Sequence, residues 1–264
     1  MSTALVGHTG FVGSNIHASR AFDDLYNTSN IADLDGKTYD LLVSAAGRAD
    51  SFRINQHEEE DQAELDQLVD HLLAAAAHQL VVISTVCVYP WGGSPDEQVI
   101  PQLDGLTPYG RNRARMEQRL RAARDVLIVR LPQLYGNNMK KGVLFDLANN
   151  YRVEHIVPHR AFQYFDAREL WVLIERALHA GIDTLNVATE PLTNEEVARD
   201  CYGIEIANQV PPEPESPYAT MYTRDMTTRN ASLLGGDGPY LWRARQVKER
   251  ISAFAAELRN ETAR

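Results

Sequence analysis

The stretch Thr3-Ala-Leu-Val-Gly-His-Thr-Gly-Phe-Val-Gly13 constrains the fold more than any other part of this chain. The apolar run Ala4-Leu5-Val6 stops at Gly7, and Gly10 and Gly13 follow at three-residue intervals. Phe11, Val12 and Ile16 then read as the apolar side of a helix. A strand, a glycine turn and a helix are therefore expected at once. In a βαβ unit the first glycine permits the tight turn, the second lets a pyrophosphate approach bare backbone, and the third lets the helix pack against the strand. The helix N-terminus adds free N–H groups and a positive dipole end. The spacing is G-x-x-G-x-x-G rather than the commoner G-x-G-x-x-G, and taken alone it also fits a turn that binds nothing.

The rest of the first half repeats the pattern. Strands are expected at Phe22–Tyr26, Asp40–Ala46, Leu80–Thr85 and Val126–Leu131, and helices at Glu58–Ala77 and Tyr109–Ala123. Asp40–Ala46 is nearly all apolar and ends at Gly47, as a parallel strand covered on both faces would. Leu65, Leu68, Val69, Leu72 and Leu73 line one side of the first long helix. Its acidic start, Glu58-Glu59-Glu60-Asp61, suits the positive end of the dipole and reads as a solvated helix start. Ala74–Ala77 are small enough for another helix to approach closely. Pro108 sits where a first helical turn tolerates it. Strand and helix alternate to about residue 135, the signature of an α/β, doubly wound parallel sheet.

Beyond Gly136 the alternation loosens. A helix at 167–180, a strand at 184–187, a helix at 193–202 capped by Thr193 or Asn194, and a final amphipathic helix at 243–258 are expected. Pro211, Pro212, Pro214 and Pro217 mark an irregular connection. The organisation expected is a dinucleotide-binding core over 1–135, with 136–264 completing it and forming a small C-terminal substrate lobe.

Composition narrows the function. The formal net charge of -10 argues against a nucleic-acid partner. No apolar run approaches a membrane span, and a strand starting near residue 3 leaves no room for a signal peptide, so a cytoplasmic protein is expected. Cys87 and Cys201 lie far apart and suggest no disulfide framework. No metal site is read from the histidines and cysteines. Cys87 reads as a small buried hydrophobe rather than a nucleophile, since no base motif accompanies it.

Three segments carry the chemistry. Ser84-Thr85-Val86-Cys87-Val88-Tyr89 ends a strand, Tyr109-Gly110-Arg111-Asn112-Arg113 opens a helix, and Arg130-Leu131-Pro132-Gln133-Leu134-Tyr135-Gly136 closes another strand. Open α/β sheets bind ligands at strand C-termini. With the glycine triplet, Ser44-Ala45-Ala46-Gly47 and Leu185-Asn186-Val187-Ala188, these segments resemble the extended short-chain dehydrogenases/reductases, in the NAD-dependent epimerase/dehydratase and nucleotide-sugar reductase group. The resemblance covers nearly the whole chain and implies a Rossmann-type fold.

It also implies roles. Tyr109 would exchange a proton with a sugar oxygen, Thr85 would orient that oxygen, and Arg113 would stand where the family has a lysine. The cofactor would be NADP or NAD, with NADP favoured. It would contact Gly7, Thr9, Gly10, Phe11, Val12, Gly13, Asn27, Ala45, Ala46, Gly47, Tyr109, Arg113 and Pro132. The substrate, a nucleotide-linked sugar, would contact Thr85, Cys87, Gln133, Lys140 and Lys141. A homodimer is implied as well.

Arg113 departs from the family pattern. Four residues after Tyr109, it projects on the same helix face, and its positive charge favours tyrosinate. Arginine is nevertheless planar, larger and always protonated, so it does not replace lysine as a donor to ribose. A second reading stays open: a dinucleotide-binding sensor or scaffold without turnover. The acid expected ~20 residues beyond the glycines is absent from Tyr26-Asn27-Thr28-Ser29-Asn30, whose neutral groups would tolerate a 2′-phosphate. Two of the four lysines, Lys140 and Lys141, adjoin the Tyr135-Gly136 turn, where a diphosphate would suit them; an ordinary solvated loop fits them equally.

Overall fold

Alternating apolar runs and amphipathic segments become nineteen strands and α-helices in the computed structural model, which describes residues 1–208 and 224–262. In chain order they are β1 (Thr3–Val6), α1 (Phe11–Ser19), β2 (Asp24–Tyr26), β3 (Thr38–Ser44), α2 (Ser51–Ile54), α3 (Glu58–Ala74), β4 (Ala76–Thr85), α4 (Pro108–Ala123), β5 (Leu127–Leu131) and β6 (Gln133–Tyr135). Then follow α5 (Val143–Asn149), β7 (Ala161–Phe162), β8 (Tyr164–Asp166), α6 (Leu170–His179), β9 (Thr184–Asn186), β10 (Leu192–Thr193), α7 (Asn194–Val197), α8 (Ala231–Leu234) and α9 (Ala244–Thr262). The proline-rich stretch that includes Pro211, Pro212, Pro214 and Pro217 lies outside the described residues. The chain divides into two compact units: Met1–Pro90 with Glu97–Leu131 and Ala167–Asn186, and Trp91–Asp96 with Pro132–Asp166 and Val187–Arg264.

The first unit is a Rossmann-type α/β fold. Its six-stranded sheet runs β2-β1-β3-β4-β5-β9, and every pairing is parallel. Helices cover both faces, which is why β1 and β5 are buried at every position. On one face Leu65, Val69 and Leu72 of α3 and Met116 and Leu120 of α4 pack on Val6, Leu42, Val82 and Ile128. Each such side chain, fully buried, contributes roughly 1.5–3 kcal/mol. On the other face Phe22 meets Trp171 of α6 edge-on, at 5.6 Å between ring centroids. A 3₁₀ turn over Ile31–Leu34 follows β2, and β3 then pairs on the far side of β1. The direction of winding therefore reverses between β1 and β3, and such a switch point leaves a crevice at the strand C-termini.

Two local expectations differ. The helix expected to reach Ala77 stops at Ala74, and Ala75 is already extended. The Ala76 N–H donates to the Lys37 carbonyl, and Ala76 and Ala77 pair with Thr38 and Tyr39, so these alanines open β4 and do not seat a second helix. The helix expected over 167–180 is a 3₁₀ turn, Ala167–Glu169, leading into α6.

The second unit holds two small sheets. β6 pairs parallel with β8, and β7 pairs antiparallel with β10. Thr193 caps α7 in a full capping box with Glu196, and the helix continues as a π-turn over Ala198–Tyr202. Phe165 stacks on Trp242 at 4.2 Å, and Tyr135 packs against Phe254 on α9.

Candidate active site

The glycine turn is built as its sequence requires. Gly7 has φ +84°, and a Cβ there would lie 2.8 Å from the Ala45 carbonyl and from Ala46 Cα, so the ends of β1 and β3 touch backbone to backbone. A Cβ on Gly13 would stand 2.1 Å from the Gly7 oxygen, so α1 packs on the turn only because residue 13 is glycine. Gly10 differs. Its nearest neighbour to a Cβ would be the Gly7 oxygen at 3.4 Å, and Gly10 and Thr9 are exposed. Phe11 and Val12 are half-buried behind them in the first turn of α1. Gly10 precedes α1 in the capping position, with no side-chain cap and no acid in the helix's first turn. Bare backbone and an uncapped positive helix end fit the pyrophosphate of a dinucleotide, with Gly7 to Gly13 as the cradle.

Beside this turn β2 ends in a closed polar loop. Asn27 Oδ1 accepts from the Ser29 N–H at 2.8 Å and from its hydroxyl at 2.6 Å, and Asn30 Oδ1 accepts from the Asn27 N–H. His8, which the glycine spacing does not single out, contacts the Tyr26 carbonyl through Nδ1 at 3.0 Å. A carbonyl only accepts, so Nδ1 carries the proton.

The second part of the site lies at the end of β4. Thr85 caps a 3₁₀ turn over Val86–Val88, its Oγ1 accepting from the Cys87 N–H at 3.2 Å. Thr107 caps α4, Pro108 occupies its first turn, and the Tyr109 N–H donates to Asn55 Oδ1 at 3.0 Å. A Cβ on Gly110 would lie 2.0 Å from the Cys87 oxygen, so glycine at 110 lets α4 close on the turn after Thr85. The Thr85 hydroxyl is thereby brought beside the Tyr109 phenol, close enough to lower its pKa. Cys87 itself is buried, 4% exposed.

Arg113 is held rather than free. It is 4% exposed. Its Nη1 lies 2.6 Å from Asp61 Oδ2, its Nη2 donates to the Arg48 carbonyl, and its guanidinium lies over the Tyr109 ring at 4.5 Å. Nη2 also stands 3.8 Å from where a Gly47 Cβ would be, linking this group to the Ala45-Ala46-Gly47 segment. Asn112 Nδ2 donates to the same Asp61 oxygen at 2.9 Å. Burial pushes the Tyr109 phenol above its ordinary value; the Arg113 charge and the Thr85 hydrogen bond pull it back, while Cys87 and Asp61 push it further.

Here the acidic helix start needs correcting, because Asp61 is 4% exposed and Glu58 pairs with both Arg111 and Arg115. Asp61 falls in phase with Leu65, Leu68 and Leu72, on the inward side of α3, which a count of acids does not reveal. Asp61, Asn112, Arg48, Asn55 and Gly110 are thus parts of the site that the motifs did not single out.

Other expected site residues belong to the second unit. Pro132 precedes β6, and Gln133 begins it, with its N–H donating to the Gln163 carbonyl. Lys140 and Lys141 are exposed just before α5. His155 and His159 stand four residues apart, but Pro158 separates them and only a short 3₁₀ turn, Val153–His155, is helical there. Among the described residues no group of three or more His, Cys, Asp or Glu is placed to hold a metal ion. No helix among them is long and apolar enough to cross a membrane.

A family model described as the NAD dependent epimerase/dehydratase family matches residues 20–175, more than half of the chain. The chain belongs to this family. Solved structures agree in fold. The dTDP-4-dehydrorhamnose reductase from Yersinia enterocolitica is 16% identical, with 98% of this chain and 100% of that chain covered and a TM-score of 0.73. The UDP-glucose 4-epimerase from Thermotoga maritima, solved with UDP-glucose, is 12% identical over 100% of both chains, with a TM-score of 0.75. A human epimerase family protein solved with NADPH is 18% identical, covering 96% of this chain and 99% of that one, with a TM-score of 0.71. No curated protein matched the chain by sequence.

Proposed function

We propose that this protein is an NAD(P)-dependent oxidoreductase or epimerase acting on a nucleotide-linked sugar, with Tyr109 as the proton-transfer group. The observation that carries the reading is the meeting of Thr85, Tyr109 and Arg113 in the same unit as the open Gly10 turn. Family membership supports a nicotinamide dinucleotide, and the neighbours solved with UDP-glucose and with NADPH support a nucleotide-sugar substrate.

In this reading Gly7 to Gly13 hold the pyrophosphate, and Ala45, Ala46 and Gly47 border the dinucleotide. Asn27 borders the ribose with neutral groups, and no carboxylate there repels a 2′-phosphate, so NADP is favoured over NAD. The bound dinucleotide supplies or accepts the hydride. Thr85 orients the reacting oxygen by hydrogen bonding, and Tyr109 holds the proton exchanged with it. Gln133, Lys140 and Lys141 contact the substrate, and Pro132 the cofactor. A cytoplasmic homodimer completes the reading, with light scattering as its check.

Titration with NADP and NAD, followed by reduction of nucleotide-ketosugars, tests it. Tyr109→Phe should bind the dinucleotide normally and lose turnover by ~10²–10⁴-fold, the usual contribution of a general acid. A protein that binds dinucleotide but turns over no nucleotide-sugar would be the sensor or scaffold instead.

A further inference from the structure

We infer that Asp61 tunes the charge of the site: by clamping Arg113 and opposing its charge it helps keep Tyr109 a phenol, so the site is built to give a proton to a carbonyl oxygen in reduction rather than to take one from a hydroxyl. The inference rests on the reading of Tyr109 as the proton-transfer group and adds the direction of that transfer.

The geometry is a closed ion pair. Arg113 and Asp61 meet at 2.6 Å with side chains 5% and 4% exposed. The guanidinium fork also reaches the Arg48 carbonyl, so it satisfies two acceptors in fixed directions at once. An ammonium, a single point charge, would not hold both in this planar arrangement. Asn112 adds a second donor to Asp61. The arginine that departs from the family lysine thus comes with a buried carboxylate of its own.

Electrostatics gives the consequence. A lone cation over a phenol ring favours tyrosinate. A cation paired at 2.6 Å with an anion presents Tyr109 with a dipole, in which Asp61 pushes the phenol up against the stronger pull of the nearer Arg113. The other groups facing Tyr109 do not restore the charge. Thr85 and Cys87 come from the end of β4 and the turn after it, and neither brings a positive charge. Around the pair, Arg48 is bound by Glu64 at 2.7 Å, and Arg111 and Arg115 share Glu58. Each of these arginines contacts a carboxylate, Arg111 and Arg115 having Glu58 between them. Burial raises the phenol further, in the same direction.

With a reduced dinucleotide bound, the substrate carbonyl carbon would receive a hydride, with its two electrons, from it. The C=O π bond opens as the C–H bond forms. The carbonyl oxygen takes the proton from Tyr109 Oη, giving an alcohol, and the tyrosinate left behind regains a proton from water. The reverse step needs tyrosinate in the resting enzyme, which burial disfavours and Asp61 opposes further.

The test is the titration of Tyr109 in the full-length protein carrying ¹³C-labelled tyrosine, with Tyr109→Phe assigning the signal among the eleven tyrosines. In the wild type, Tyr109 should stay protonated beyond the ordinary range of a tyrosine. Asp61→Asn leaves Arg113 uncompensated and should bring the ionisation down by ~1–3 units, the effect of an opposite charge at ~4–6 Å. A buried lone guanidinium strains the fold, so Asp61→Asn with Arg113→Met serves as a second variant; with both charges gone, Tyr109 should titrate high again. Ionisation of wild-type Tyr109 in the neutral range, or an unmoved Tyr109 in Asp61→Asn, overturns the inference. If that titration fails while Tyr109→Phe is inactive, the inference alone falls. If Tyr109→Phe turns over normally, the acid assignment falls and takes the inference with it.

Discussion

Arg130 Nη2 lies 2.6 Å from Glu117 Oε2, with only 3% and 2% of the two side chains exposed. This pair ties β5 to α4 and anchors the segment that carries Thr85. Ser84 donates to Glu117 Oε1 at 2.5 Å, and Arg130 Nη1 donates to the Tyr89 hydroxyl at 2.5 Å. Asn186 Nδ2 reaches the same hydroxyl at 3.0 Å. Residues 84 and 89 are thus both held by one buried ion pair, with Thr85 between them. Glu117→Ala would leave the Arg130 charge buried and unpaired, and should cost about 3–5 kcal/mol. Replacing both partners, Glu117→Leu with Arg130→Met, should cost far less, because no lone charge remains. Urea denaturation of the three proteins checks this; a loss below about 1 kcal/mol in Glu117→Ala would mean that water reaches Arg130.

The glycines of the first turn should separate into two classes. Gly13→Ala puts a methyl 2.1 Å from the Gly7 oxygen, against backbone that has no room to yield. Thermal unfolding should show a marked loss of stability whether or not a dinucleotide is added. Gly10→Ala meets only the Gly7 oxygen at 3.4 Å, so the fold should survive. Dinucleotide affinity should instead fall by on the order of tenfold, about 1.4 kcal/mol, because the methyl occupies the approach to bare backbone. Equal affinity in Gly10→Ala and wild type would remove this turn from the binding site.

Much of the first unit was legible because its strands are buried on both faces, and such strands read as unbroken apolar runs. Leu41-Leu42-Val43 and Leu127-Ile128-Val129 are examples. The end of α3 was not legible, since Ala74 to Ala77 contain neither glycine nor proline and only the pairing with Thr38 and Tyr39 pulls Ala76 and Ala77 into β4. In the second unit β6, β7, β8 and β10 are two or three residues long, too short for any period to appear. Thr85, Tyr109 and Arg113 could be found by motif spacing. Asp61 could not, because an acid in a first turn suits the dipole whether it is solvated or buried. Its phase with Leu65, Leu68 and Leu72 was the signal that would have found it.

Acid should weaken an ion cluster in the second unit. Asp200 is held at about 2 by hydrogen bonds from Arg199 first and Lys248 second. A carboxyl depressed in the folded state contributes stability that is fully present above its unfolded value of ~3.9 and is lost as pH falls through its folded value. The window is therefore from about pH 4 down to about 2. Lys248, bound to Asp200 at 2.7 Å and to Glu196 at 3.3 Å, is the common partner. Lys248→Met should flatten this part of the acid limb while leaving the stability near pH 7 little changed in slope. Urea midpoints of the variant and the wild type between pH 2 and 5 make the comparison; parallel curves would show that the cluster is not linked to folding.

The lysines make the substrate reading testable from this chain's own residues. Of the four, Lys37 lies 3.7 Å from Asp24, and Lys248 is bound by two carboxylates. Lys140 and Lys141 differ: both are exposed and neither pairs with a carboxylate among the described residues. A protein with a net charge of -10 repels a dianionic ligand unless a local cationic group admits it. Lysine binds phosphate as a point charge and needs no planar fork, so an exposed adjacent pair suffices. Lys140→Ala with Lys141→Ala should weaken binding of the nucleotide-sugar by on the order of tenfold, about 1.4 kcal/mol, and leave dinucleotide affinity within twofold. Wild-type affinity for the nucleotide-sugar should fall with added salt, since an exposed patch is screened within ~8–10 Å at ordinary ionic strength, and the double variant should lose much of that dependence. Calorimetric titration with UDP-, GDP- and dTDP-linked sugars at two salt concentrations reads both effects. Should the double variant bind all three as the wild type does, Lys140 and Lys141 are ordinary solvated charges, and the substrate's phosphates are held elsewhere.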